Sequence, residues 1–180
     1  MVFVVVPRFN LSVLVNMIEA IRITNYLSSR QSFSWEVVSF DGPTIAASSG
    51  ATVHVKADTD NIGAADYVFV VASWGAETYQ NKKLISWIRK RSRQGERICA
   101  VELGCYPVAR AGLLAGKEAT THWSWMNGFQ ESFDNIDVKE QIYSINNRTM
   151  SCAGALAVVD LMLHIIEDIH GPGLSGEVAD

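Results

Sequence analysis

Proline and cysteine are scarce in this chain, with 4 and 3 among 180 residues. So little proline, beside 13 glycines and 48% apolar residues, excludes a collagen-like or disordered chain and leaves an ordinary globular one. Three cysteines, Cys99, Cys105 and Cys152, are too few and odd in number for a disulfide scaffold. No charged-then-apolar leader precedes them, so reduced thiols and a cytoplasmic location are expected. Long hydrophobic runs are absent too: Val2 to Val6 is far shorter than the roughly 18 residues of a membrane span, and a soluble protein without membrane contact is expected. Positive charge is also in short supply. Fifteen Lys and Arg face 19 Asp and Glu, and a net charge of −4 gives the chain no overall attraction for phosphate backbones. At this length residues 1–180 are expected to form a single domain with one large core.

What is present is an alternation of strand and helix. Val2 to Val6 is β-branched, apolar on both faces and closed by Pro7, which marks a strand buried between two layers. Leu11, Leu14, Val15, Ile18, Ile21 and Leu27 recur at helical spacing, with Asn10 or Ser12 available as a cap. Trp35 to Phe40 reads as a second strand stopped by Asp41-Gly42-Pro43, and Ala51 to Val55 as the arm of a small hairpin. Asp66 to Ala72 is a further two-sided apolar run. It is followed by a helix predicted from about Glu77 to Ser92, a strand from Arg97 to Val101 and a helix from Tyr106 to Leu114. Short edge-like strands are predicted at Ala119 to Thr121, Ile136 to Val138 and Gln141 to Ile145, and a long helix at Ala153 to Ile169. Pro172 to Asp180 opens like another amphipathic helix and stops without a cap, so the chain is expected to continue in a longer protein. This order predicts a doubly wound α/β domain around a parallel sheet.

Ligands of such sheets sit beyond the carboxyl ends of the strands. The turns after Val6, Ala72 and Val101 are therefore expected to bring Arg8, Asn10, Ser73, Trp74, Glu102 and Leu103 into one crevice. Val101-Glu102-Leu103-Gly104 is the sharpest of these turns, a strand passing at once into a helix, which is the geometry of a nucleophile elbow with glutamate at its centre. An unpaired buried carboxylate is costly. Glu102 should bind a cation, sit protonated and hydrogen-bonded, or anchor turn amides. Trp74, Trp123 and Trp125 are the aromatic set whose faces would suit a cationic ligand beside that carboxylate, the alternative being core packing. His54, His164 and His170 lack close-spaced partners, and no metal site is expected. Seven of the fifteen basic residues fall between Lys82 and Arg97; a solvated helix face accounts for them, with an auxiliary DNA or linker contact as the other reading.

The segment Val108-Ala109-Arg110-Ala111-Gly112-Leu113-Leu114-Ala115-Gly116-Lys117-Glu118-Ala119-Thr120-Thr121-His122-Trp123 resembles the signature of the glutamine-amidotransferase-like (DJ-1/PfpI-type) sensor domain of AraC-family bacterial transcription regulators. Leu84-Ile85-Ser86-Trp87 before Gly95, Ala153-Gly154 with Ala157 and Asp160 to Leu163, and the closing His170-Gly171 extend the resemblance over nearly all of the chain. It implies a flavodoxin-like, three-layer α/β/α sandwich of the class I glutamine amidotransferase type. In full regulators that sandwich is followed by a helix-turn-helix domain, absent from residues 1–180. The implied role is sensing of a small metabolite and homodimerisation, with DNA reached only through the second domain. In enzymes of the superfamily the elbow residue is a cysteine assisted by a histidine and an acidic residue. That position falls on Glu102, Leu11 to Leu14 offers no glutamate to partner a thiol, and Cys105 lies further on, inside the helix. A non-catalytic domain without cofactor is implied. His122 matches a position near the superfamily's histidine. Some regulators of this kind respond to arginine, betaine or carnitine-like metabolites, so the resemblance implies an amino acid or quaternary amine as effector. The candidate ligand-binding residues are Glu102, Leu103, His122, Trp74, Ser73, Asn10 and Trp123. The rival readings are a stand-alone hydrolase or amidase of the same superfamily with an atypical elbow, and a dimerisation module with a vestigial pocket.

Overall fold

A computed structural model describes residues 1–57 and 59–180. In chain order the elements are β1 (Val2–Val5), α1 (Leu11–Leu27), β2 (Glu36–Val38), β3 (Thr44–Ala46), β4 (Thr52–His54), β5 (Tyr67–Ala72), α2 (Lys82–Arg93), β6 (Arg97–Glu102), α3 (Cys105–Arg110), β7 (Glu118–Ala119), α4 (Met126–Ser132), β8 (Asp137–Val138), β9 (Tyr143–Asn146), β10 (Thr149–Cys152), α5 (Ala157–His170) and α6 (Pro172–Ala179). Six strands form one sheet in the order β2-β1-β5-β6-β10-β9. All neighbours are parallel except the edge strand β9, which runs antiparallel to β10. The strand order reverses between β1 and β5, so the helices cover both faces.

The two-sided apolar strands read from sequence are the centre of this sheet, and their alternate residues divide into two cores. Val4, Val70 and Ala100 face Leu84 and Ile88 of α2, Val108 of α3 and Phe129 of α4. Phe3, Phe69, Cys99 and Val101 face Val13 and Met17 of α1 and Leu161 and Ile165 of α5. A sheet sealed on both faces can expose function only at its strand ends.

Four local expectations change. β10 escapes the apolar-run criterion because it buries Thr149 and Ser151, whose hydroxyls accept from Lys117 Nζ at 2.5 Å and from the Thr120 amide at 2.9 Å. The helix predicted from Glu77 begins only at Lys82, where the Asn81 side chain accepts from the Lys83 and Leu84 amides. α3 ends at Arg110 rather than Leu114, since Gly112 turns the chain at φ +78°. α5 starts at Ala157 rather than Ala153, because Gly154 and Ala155 adopt φ +89° and +50°. The hairpin arm is real, with β3 pairing antiparallel with β4.

Candidate functional site

The parallel strands of the sheet end at one edge, and the backbone there is strained. Among the described residues, three of the five non-glycine residues with positive φ lie on it: Arg8 after β1 at +65°, Glu102 ending β6 at +57°, and Ala155 after β10 at +50°. Such conformations persist only where the surrounding fold enforces them. At the β6–α3 turn the enforcing residue is Gly104: a Cβ at that position would stand 2.0 Å from the Val70 carbonyl oxygen, so only glycine lets α3 start against the sheet.

The elbow holds the Glu102 side chain inward, where the residue is only 5% exposed. The loop after β10 lies directly upon it. A Cβ on Gly154 would meet Glu102 Cγ at 2.5 Å. Burial pushes the carboxyl up to about 7, while hydrogen bonding from Asn10 and Ser73 pulls it down. Oε2 of Glu102 is buried without a hydrogen-bond partner. Near neutral pH this group therefore divides between an acid that can donate a hydrogen bond and a carboxylate that can pair with a cation.

Its surroundings come from four loops. Asn10 caps α1, accepting from the Ser12 amide at 3.1 Å, so the residue that starts the helix also touches the carboxyl. Ser73 follows β5 and is buried. Thr121 donates its hydroxyl to the Glu102 carbonyl at 2.9 Å and accepts from the Cys105 thiol at 3.0 Å. Cys105 is fully buried and burial pushes its thiol up to about 12, so it is a neutral hydrogen-bond donor rather than a nucleophile. The chain leaving Thr121 carries His122, which caps a short 3₁₀ turn, its Nδ1 accepting from the Ser124 amide at 3.4 Å and lying 2.8 Å from the Ser124 hydroxyl.

Of the seven residues singled out from sequence, Asn10, Ser73 and Glu102 interact directly, and Trp74, His122 and Trp123 follow from the same loops. The two indoles are solvent-facing, Trp74 at 58% and Trp123 at 76% exposed. Leu103 stands apart. Its side chain belongs to the core beside α2 and α3 and its amide donates to the Ala72 carbonyl at 3.0 Å, because the residue after the elbow continues the β5–β6 ladder. Trp125, the third indole, packs edge-on against Tyr106 at 6.5 Å. Sequence reasoning passed over Gly154, Thr121 and the 74%-exposed Leu156. Gly154 was legible only as part of a motif, and no periodicity marks a glycine required by a side chain about fifty positions away.

A concavity of about 850 Å³ lies at the opposite end of the strands, lined by Asp66, Trp87, Lys90, Arg97 and Arg148 among others. There Arg91 donates to Glu96 at 2.5 Å and to the carbonyls of Ile62 and Gly63, bracing the wall of the cleft. Among the described residues no helix is long and apolar enough to cross a membrane, and no three metal-binding side chains cluster.

The doubly wound sheet with a strained, buried side chain at the strand-to-helix elbow defines a glutamine-amidotransferase-like, flavodoxin-type α/β sandwich. The chain belongs to the DJ-1/PfpI family, whose model matches residues 9–168. Over 178 residues it is 33% identical to the HTH-type transcriptional regulator GbdR of Pseudomonas aeruginosa, covering 99% of this chain and 48% of that protein. It is 32% identical to the HTH-type transcriptional regulator CdhR of the same species, covering 53% of it. The chain thus spans about half the length of the curated relatives it matches. An AraC family transcriptional regulator from Pseudomonas putida superposes with a TM-score of 0.89 at 17% identity, over 99% of this chain and 96% of that one, which shows the shared fold. These three relatives are transcriptional regulators.

Proposed function

We propose that residues 1–180 are the effector-sensing and dimerising domain of an AraC-type bacterial transcription regulator, acting in the cytoplasm and without catalytic chemistry of its own. The curated relatives are about twice as long, which leaves room in such a regulator for a helix-turn-helix part outside this segment. The observation that carries the reading is Glu102: the elbow presents a buried carboxyl with an unpartnered Oε2 where the resemblance places an enzymatic cysteine. A carboxylate cannot replace a thiolate in ordinary acyl transfer without forming a labile anhydride, and the nearby Cys105 thiol is neutral and enclosed. An ammonium or other cationic group would pair with the unpartnered oxygen, and the exposed Trp74 and Trp123 would offer π faces to the remainder of a cationic head. The effector class is accordingly an amine-bearing metabolite, an amino acid or a quaternary amine, held by Glu102, Asn10, Ser73, Trp74, His122 and Trp123. No metal or cofactor enters this scheme.

The test is the melting temperature of the chain against amino acids, betaines, carnitine and polyamines. Ligand at about 100 times its dissociation constant adds roughly 2.7 kcal/mol, a rise of about 5–10 °C at this size. A saturable rise with one amine class, lost in Glu102→Gln, is expected; a shift that survives Glu102→Gln removes this site from sensing. Incubation with acyl and thiol-directed electrophiles, read by intact mass, addresses the hydrolase alternative, since a stoichiometric adduct at the elbow would establish it.

A further inference from the structure

The outer face of α2 carries charge that the helix itself does not favour. Residues 82–97 hold seven cations and one acid, a net of +6, which leaves −10 on the rest of the chain. Lys82 and Lys83 occupy the first turn of α2, which has no acidic residue, so two positive charges stand at the positive end of the helix dipole. Arg89 and Arg93 repeat like charge at the i,i+4 spacing. At 100° per residue Lys82, Lys83, Arg89, Lys90 and Arg93 fall within an arc of roughly 120°, along a helix about 18 Å long. All five are exposed, and among the described residues Lys82, Lys83, Lys90 and Arg93 have no ion-pair partner.

Beside this face lies a shallow depression of about 490 Å³ lined by Gln80, Lys82, Ile85, Arg89 and Arg110, with no carboxylate in its wall among the described residues. Two of its cations are held in place. Arg89 donates to the carbonyls of Arg110 and Ala111, and Arg110 to those of Ala76, Glu77 and Tyr79. Little side-chain freedom is left to lose when an anion arrives. A solvated face needs neither a first-turn pair of lysines nor pre-positioned guanidinium groups in a concavity.

We infer that the outer face of α2, with the Lys82–Arg89–Arg110 depression, is a sequence-independent contact for the phosphate backbone of duplex DNA. The inference rests on the regulator reading above, because a domain tethered to a DNA-binding partner domain meets DNA at high effective concentration. The acidic remainder of the chain then orients the domain so that only this face approaches the duplex. Contact with phosphates alone adds affinity without selecting bases.

The experiment is fluorescence anisotropy of the 180-residue chain with a labelled duplex of arbitrary sequence, titrated across salt concentrations. Weak binding is expected, with a log–log salt slope of about −0.9 for each phosphate contacted. Lys82→Glu/Lys83→Glu should weaken it about tenfold or more and flatten the slope by roughly 2. Acidic residues in a first turn suit the helix dipole, so this variant should fold at least as well, which its melting temperature checks. Arg30→Glu/Lys139→Glu, with the same change in net charge elsewhere, should change affinity by less than about threefold under the same screening. Equal losses in the two variants, a salt-independent signal, or equally tight binding to anionic lipid vesicles would overturn the inference. The effector-induced rise in melting temperature, measured on Lys82→Glu/Lys83→Glu, separates failure here from failure of the sensing site.

Discussion

At the scale of the residue, the molecule turns on a carboxyl that the fold buries almost completely. Glu102 is raised from an ordinary 4.5 to about 7 in the folded chain by burial. The folded state therefore binds its proton more tightly than the unfolded one: the stabilisation is complete below pH 4.5 and is lost as pH rises through about 7. The full difference is on the order of 3 kcal/mol. Denaturant midpoints of the native chain and Glu102→Gln, measured across this range, should diverge progressively towards alkaline pH, with the glutamine variant the less pH-sensitive. Parallel profiles would mean that Glu102 titrates near its ordinary value. Gly154 is the complementary case. Gly154→Ala sets a Cβ against Glu102 at a backbone φ of +89°, and a loss of about 1–3 kcal/mol is expected by chemical denaturation.

At the scale of the element, helices are begun and ended by side chains whose second task is tertiary. Asn10 caps α1 and acts on Glu102; Asn81 caps α2 and has no tie to the elbow. Asn81→Ala should cost about 1 kcal/mol without altering the effector response, whereas Asn10→Ala should cost a similar amount and weaken it. Thermal melts with and without effector distinguish the two. The far end of α2 is tied down by Arg91, whose pair with Glu96 is only 6% exposed on either side chain. Arg91→Met strands Glu96 and the carbonyls of Ile62 and Gly63, and a loss of about 3–5 kcal/mol is expected in urea denaturation.

At the scale of the whole molecule, α1 links the candidate site to the last element. It starts at Asn10 beside Glu102 and packs against both α5 and α6, while Ser175 of α6 donates to the Leu163 carbonyl of α5 at 2.9 Å. An effector that draws on Asn10 thereby loads the start of a helix whose flank carries α6. Sensing needs the ligand to prefer one arrangement of these parts. Hydrogen exchange should accordingly slow in the first turns of α1 and in α6 when effector saturates; protection confined to the loops around Glu102 would show that α6 takes no part in the response.

The sequence by itself determined the layers. β1, β5 and β6 were legible because a strand sealed on both faces must be apolar throughout, α1 because its buried stripe repeats at the helical period, and the elbow because a strand passes into a helix with no room for a loop. Tertiary structure decided the rest. β10 hides its identity because its buried hydroxyls are satisfied by residues 117–120, a pairing that no local pattern announces. The same holds for the candidate site. Glu102, Ser73 and Asn10 were readable as ends of strands and starts of helices, but Leu103 turned inward to complete the β5–β6 ladder, while Thr121 and Gly154 arrived from distant loops. Periodicity records which face of an element meets the core; which side chains meet one another beyond the strand ends is set only when the loops close over them.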